Sequence, residues 1–169
     1  MATADPQPAP GSETPATRVV ELVVNLDDAT GEVVGDATRT LLAEGALDVW
    51  TTPIQMKKQR PGVMLSVLAA PEDSPALAQR ILELTGSFGV RFREWDRLVL
   101  DREHVTADTR LGEVQLKLGR RDGRLVTAQP EFESARALAE AAGVSVREAM
   151  DAARAAADAV LAGEKGATP

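Results

Sequence analysis

The chain has 169 residues, 26 of them acidic and 19 basic, for a net charge of −7 with its single His neutral. Apolar residues make up 44%, cysteine is absent, and the aromatics are two Trp and three Phe. This composition excludes disulfides, Cys nucleophiles, thiolate or multi-histidine metal centres and general nucleic-acid binding, so any bound metal needs mostly oxygen ligands.

Residues 1–17 carry Pro6, Pro8, Pro10 and Pro15 among small polar residues and are expected to form a disordered tail. They contain neither a basic residue nor an apolar run, so they do not read as a signal peptide. No segment is apolar enough to cross a bilayer, and the cytoplasm is the expected location. From Arg18 to Leu26 a β-branched run predicts a strand. A helix follows from about Thr30 to Glu44, with Val33, Val34, Ala37, Leu41 and Leu42 at helical spacing and Gly45 as its stop.

Ala46 to Gln55 reads as a second strand. After a basic turn, Val63 to Ala69 reads as a third, apolar on both faces and therefore central. Ser74-Pro75 opens a second helix, whose expected inner stripe is Leu77, Ile81, Leu84 and Phe88. A fourth strand starts at Val90. The order β-α-β-β-α-β is that of the split βαβ, or ferredoxin-like, motif.

The fourth strand is expected to run on as an arm through Leu98 to Ala107, with a turn at Asp108 to Gly112. Glu113 to Leu118 alternates strictly and predicts one wet face, and Asp122-Gly123 marks a hairpin before Arg124 to Thr127. Two helices close the chain. The first uses Ala135, Leu138, Ala139 and Ala142 before Gly143; the second starts at a capping box, Ser145 to Glu148. The fold expected is α+β: a ferredoxin-like core with an added β-hairpin arm and two C-terminal helices. It forms one domain over residues 18–162, with 163–169 a second tail.

Three segments could carry chemistry. Asn25-Leu-Asp-Asp28 ends the first strand and enters the first helix, so Asp27 and Asp28 could hold a divalent cation on nucleotide phosphates, or Asp28 could simply cap the helix. Lys57, Lys58 and Arg60 lie in a turn pinned by Pro61 and Gly62; they are either a solvated charged turn or an anion site in an otherwise acidic chain. Thr85 to Arg91 reads as a helix terminus, or as a phosphate cradle using Thr85, Ser87 and Arg91. No GxxxxGK[ST] or GxGxxG string is present. His104, the only imidazole, reads as structural or surface, although its pKa range suits proton transfer. Trp50 and Trp95 are expected in the core or at an interface.

Glu21 to Asp28, Gly45 to Val49 and Thr52 to Gly62 strongly resemble the C-terminal domain of the LarC family. Phe88 to Arg91, Arg102-Glu103, Gly112 to Val114, Pro130 to Glu133 and the paired terminal helices extend the likeness over residues 18–155. The resemblance implies half of a nickel insertase of lyase or chelatase type. That enzyme would hydrolyse CTP with Mg or Mn while placing nickel into pyridinium-3,5-bisthiocarboxylic acid mononucleotide. It further implies a homo-oligomer, a nucleotide site at Lys57, Lys58, Arg60, Arg91 and Arg102, and a cation at Asp27 and Asp28. The family's N-terminal domain is expected as a separate partner chain holding most of the nickel. The pattern departs at Gly31, where the family usually has Pro, and at Leu84 to Ser87, where it has a Glu and threonines. The alternative is a non-catalytic nucleotide-binding or oligomerisation module.

Overall fold

The structure, a computed structural model, describes residues 17–166, with no side chain described for Lys165. The tails expected over 1–17 and 163–169 therefore fall largely outside the described residues. Where they are described, Thr17 already belongs to a strand and 163–166 to a helix. The chain divides between Leu98 and Val99 into two compact units, each with its own core.

In the first unit, strands β1 (Thr17–Leu26), β2 (Asp48–Met56), β3 (Arg60–Ala69) and β4 (Arg91–Arg97) form one sheet in the order β2-β3-β1-β4. Every neighbouring pair is antiparallel. Helices α1 (Gly31–Ala43) and α2 (Ser74–Thr85) connect β1 to β2 and β3 to β4. Alternation along β1 sends Val20, Leu22, Val24 and Leu26 into a core with Leu65, Val67 and Ala69 of β3. The helices close that core with Val34, Ala37, Leu41, Leu77 and Ile81.

Three local expectations change here. The N-cap of α1 is Thr30, which accepts from the Val33 N–H at 3.4 Å, and not Asp28. Helix α2 closes at Thr85 because Gly86 takes a left-handed φ of 69°, so Phe88 falls outside the helix and is fully exposed rather than buried. The basic turn is confined to Lys57–Gln59, since Arg60, Pro61 and Gly62 already pair with Met56, Gln55 and Ile54.

In the second unit, strands β5 (Asp101–Thr109), β6 (Gly112–Arg121) and β7 (Arg124–Pro130) form an antiparallel three-stranded sheet. The fourth strand does not run on as an arm. Pairing of β4 with β1 ends at Arg97, opposite Thr17, and β5 joins this different sheet. Val114, Leu116 and Leu118 of β6 are buried, while Gln115 and Lys117 between them stay wet, as alternation predicts. Helices α3 (Phe132–Ala142) and α4 (Val146–Gly166) supply Ala135, Leu138, Ala153 and Ala157 to the core. Ser145 accepts from the Glu148 N–H at 3.2 Å, which is the first half of the predicted capping box.

Candidate functional site

The β2–β3 hairpin turns through Lys57, Lys58 and Gln59, and both Lys58 and Gln59 stand at φ 60°. Non-glycine residues pay roughly 1–2 kcal/mol each for that left-handed backbone. The amide of Gln55 donates to the Gln59 side-chain oxygen at 2.7 Å, tying the tip across its base. Lys57 and Lys58 are exposed and make no ion pair among the described residues. Two adjacent uncompensated ammonium groups on a strained turn attract anions.

Behind the tip, Arg60 donates from Nη1 to Asp27 Oδ2 at 3.1 Å. The Asp27 side chain is only 20% exposed. That approach requires Gly62: a Cβ there would stand 2.7 Å from the Leu26 carbonyl oxygen, so β3 could not come as close to the end of β1. Two residues back on β1, Asn25 Oδ1 accepts from Arg91 Nη2 at 2.9 Å, and Arg91 also lies 3.5 Å from the Met64 sulfur. Strand alternation places Asn25, Arg60, Met64 and Arg91 on the sheet face opposite the helices. The end of β1 thus holds one guanidinium from each flanking strand.

The structure therefore brings Asp27, Arg60, Lys57 and Lys58 together around one hairpin and sets Arg91 beside Asn25. Asp28 is exposed, and among the described residues it makes no ion pair. Arg102 lies on β5 of the second unit, opposite Gly119. Among the described residues no three of His, Cys, Asp and Glu converge on a common metal position. A divalent cation at Asp27 and Asp28 would have few protein oxygens, one carboxylate of which already faces Arg60. The donor set thus fits only an ion whose other ligands are phosphate and water. The polar groups of the Thr85 to Gly89 segment serve the helix end: Thr85 donates to the Ile81 carbonyl at 2.7 Å and the Gly86 N–H to Leu82 at 2.9 Å. These contacts are those of a helix terminus.

Some features were not evident from the sequence. His104 pairs in register with Lys117, and both reach Glu131 Oε1 at 3.2 Å. Lys117 first, then His104, holds the Glu131 carboxyl below its ordinary range. Counting outward from the β5–β6 turn would have set His104 opposite Lys117, but Glu131 lies past β7. In the first unit, Trp50 and Trp95 are neither buried nor in the core; they are 38% and 44% exposed on the face opposite the helices. Trp95 Nε1 donates to Glu21 Oε2 at 3.0 Å, and Arg93 lies 4.6 Å from the centre of its ring. A shallow groove of about 320 Å³ lined by Glu44, Arg80 and Glu83 is already filled electrostatically, because both carboxylates bind Arg80.

The fold and the hairpin define an α+β protein with two antiparallel sheets and an exposed basic tip. The family model of the nickel insertion proteins matches residues 8–150, and the chain belongs to that family. A protein of Myxococcus xanthus assigned to nickel insertion is 46% identical over 132 residues, covering 78% of this chain and 34% of its own. The pyridinium-3,5-bisthiocarboxylic acid mononucleotide nickel insertion protein of Lactiplantibacillus plantarum is 44% identical over 103 residues, 61% of this chain and 24% of that protein. Among solved structures, LarC2 is similar at a TM-score of 0.80 and 38% identity, over 85% of this chain and 99% of that one. LarC2 is the C-terminal domain of a cyclometallase involved in the synthesis of the NPN cofactor of lactate racemase, there in its apo form. The chain spans about a third of the length of the M. xanthus relative.

Proposed function

We propose that this chain is the nucleotide-handling part of a CTP-dependent nickel insertase acting on pyridinium-3,5-bisthiocarboxylic acid mononucleotide. Nickel is its substrate, and insertion itself draws on the remaining length of the family's proteins. In this reading Lys57, Lys58 and Arg60 hold the triphosphate, and Arg91 contacts its far end. Asp27 and Asp28 face a Mg or Mn ion carried on the phosphates. Arg102, on the second unit, is a separate phosphate candidate. The observation that carries the reading is the strained tip: two uncompensated lysines beside a guanidinium already oriented by Asp27, in a chain of net charge −7. Triphosphate charge needs cations fixed before binding, and such a turn supplies them.

The strand order β2-β3-β1-β4 with crossover helices supports describing residues 17–98 as a ferredoxin-like split βαβ unit. The test is calorimetric titration of CTP against ATP and GTP, with and without Mg²⁺ or Mn²⁺. Binding and turnover of CTP in the presence of the rest of the insertase support the proposal; neither event, even then, sinks it. A second reading, a non-catalytic oligomerisation module, is favoured by the exposure of Trp50, Phe88, Phe92, Trp95 and Phe132. Sedimentation of the chain across a concentration series tests that reading.

A further inference from the structure

We propose that the face of the first unit's sheet turned away from α1 and α2 is a protein-docking surface. Its occupant is the N-terminal portion of the nickel insertion proteins, which meets it with an apolar patch ringed by carboxylates. This rests on the reading that insertion draws on the remaining length of the family's proteins, and it adds where the two parts meet.

A solvated face of an antiparallel sheet is ordinarily polar, and this one is not. Trp50 and Trp95 stand on its two edge strands, β2 and β4, at 38% and 44% exposure. Leu68 and Val23 of the central strands lie on the same face, and both are partly exposed. Trp95 is held on two sides: its Nε1 donates to Glu21 at 3.0 Å, and Arg93 lies 4.6 Å from its ring centre. An indole fixed in this way has little side-chain freedom left to lose when a partner arrives. Trp and Arg are also the residues that most often anchor protein interfaces.

Charge and chain length select the occupant. Arg93 and Arg97 share this face, and among the described residues neither makes an ion pair. Glu21 is engaged by Trp95, so guanidinium charge dominates the β4 side of the face in a chain of net charge −7. A second copy laid face to face would set these cations against an equally cationic surface, whereas carboxylates around an apolar centre complement both features. LarC2 is the C-terminal domain of its cyclometallase, so the rest of that protein precedes it. The matched part of the M. xanthus relative is likewise only 34% of its length. In this chain Thr17 pairs with Arg97, and Val19 with Trp95. A portion that precedes the domain is thus delivered to the corner of the sheet that carries the fixed indole.

The test joins the part of the M. xanthus relative that precedes its matching third to this full chain, in place of that third. Hydroxyl-radical footprinting then reads the oxidation of each aromatic in the joined protein and in the chain alone. Trp50 and Trp95 are expected to lose most of their oxidation on joining, while Phe132 of the second unit keeps its own. Arg93→Glu combined with Trp95→Ala should return Trp50 to its level in the chain alone. Equal oxidation of both indoles in the two proteins overturns the proposal. Protection that grows with concentration in the chain alone also overturns it, because a second copy then covers the face. The intact M. xanthus relative, footprinted against its matching third alone, gives a reading that does not depend on the joined protein folding. LarC2 shows that such a third folds by itself. If β2 and β4 of that relative gain no protection, the proposal fails. Titration of the joined protein with CTP separates the two readings. Protected indoles without CTP binding overturn the nucleotide reading alone, and CTP binding with exposed indoles overturns the docking surface alone.

Discussion

Arg60 and Asp27 meet at 3.1 Å across 33 residues of sequence, and the pair ties the foot of the β2–β3 hairpin to the end of β1. One partner is 57% exposed and the other 20%, so the pair contributes about 0–1 kcal/mol to stability. Its larger effect is on charge, since Asp27 offsets one of the three cations grouped at the tip. Asp27→Asn should therefore leave thermal unfolding nearly unchanged. It should tighten binding of metal-free tripolyphosphate and reduce the gain in affinity from added Mg²⁺. Calorimetry at matched ionic strength checks both signs, and weaker metal-free binding would contradict the assignment.

Lys58 sits at φ 60°, a conformation that glycine adopts freely and lysine does not. Lys58→Gly should hold or raise stability by up to about 1 kcal/mol, relief of backbone strain being partly offset by a more flexible unfolded chain. The same change should weaken triphosphate binding, because it removes a charge from the tip. Stability from denaturant unfolding and affinity from calorimetry should move in opposite directions.

Gly62 tests the packing behind the site. A methyl group there meets the Leu26 carbonyl oxygen at 2.7 Å and the Met56 sulfur at 3.0 Å. Met56 can move, but the backbone oxygen cannot without shifting β1. Gly62→Ala is expected to destabilise the chain by about 1–3 kcal/mol, read as a lower denaturation midpoint at unchanged slope. Its nucleotide affinity should fall as well, since the same shift pulls Arg60 from Asp27.

In the second unit, Glu131 binds Lys117 and His104, and its carboxyl is held below the ordinary value of 4.5, chiefly by Lys117. A carboxyl depressed in the folded state contributes stability above its unfolded pKa and loses it as pH falls through the folded value. Wild type should therefore be more stable than Glu131→Gln at neutral pH. The difference should stay constant down to about pH 4.5 and shrink below it. Denaturant midpoints collected from neutral to acidic pH give the test, and a gap that widened on acidification would contradict it.

Much of this architecture was legible in the chain because it depends on near neighbours. The alternation of Val20, Leu22 and Val24, the stop at Gly45 and the capping box at Ser145 are patterns a few residues long. The boundaries that slipped depend on longer-range matters. Phe88 looked like the next turn of an apolar stripe, but Gly86 ends the helix first. The arm after β4 looked continuous, but β4 ends at Arg97 and β5 pairs with β6 in a different sheet. Trp50 and Trp95 read as core or interface residues, and the sheet excludes the core by putting them on the face that the helices do not cover.

At the candidate site, the sequence by itself determined the basic cluster at Lys57 to Arg60, the acidic pair at Asp27 and Asp28, and the absence of any thiol chemistry, since each is a matter of composition within a short segment. Only the tertiary structure decided that Arg60 serves Asp27 and that Arg91 serves Asn25 over 66 residues. The physical reason is register. Which side chains face each other across a sheet depends on how each strand is aligned with its neighbours, and a slip of one residue would turn every one of these groups to the opposite face.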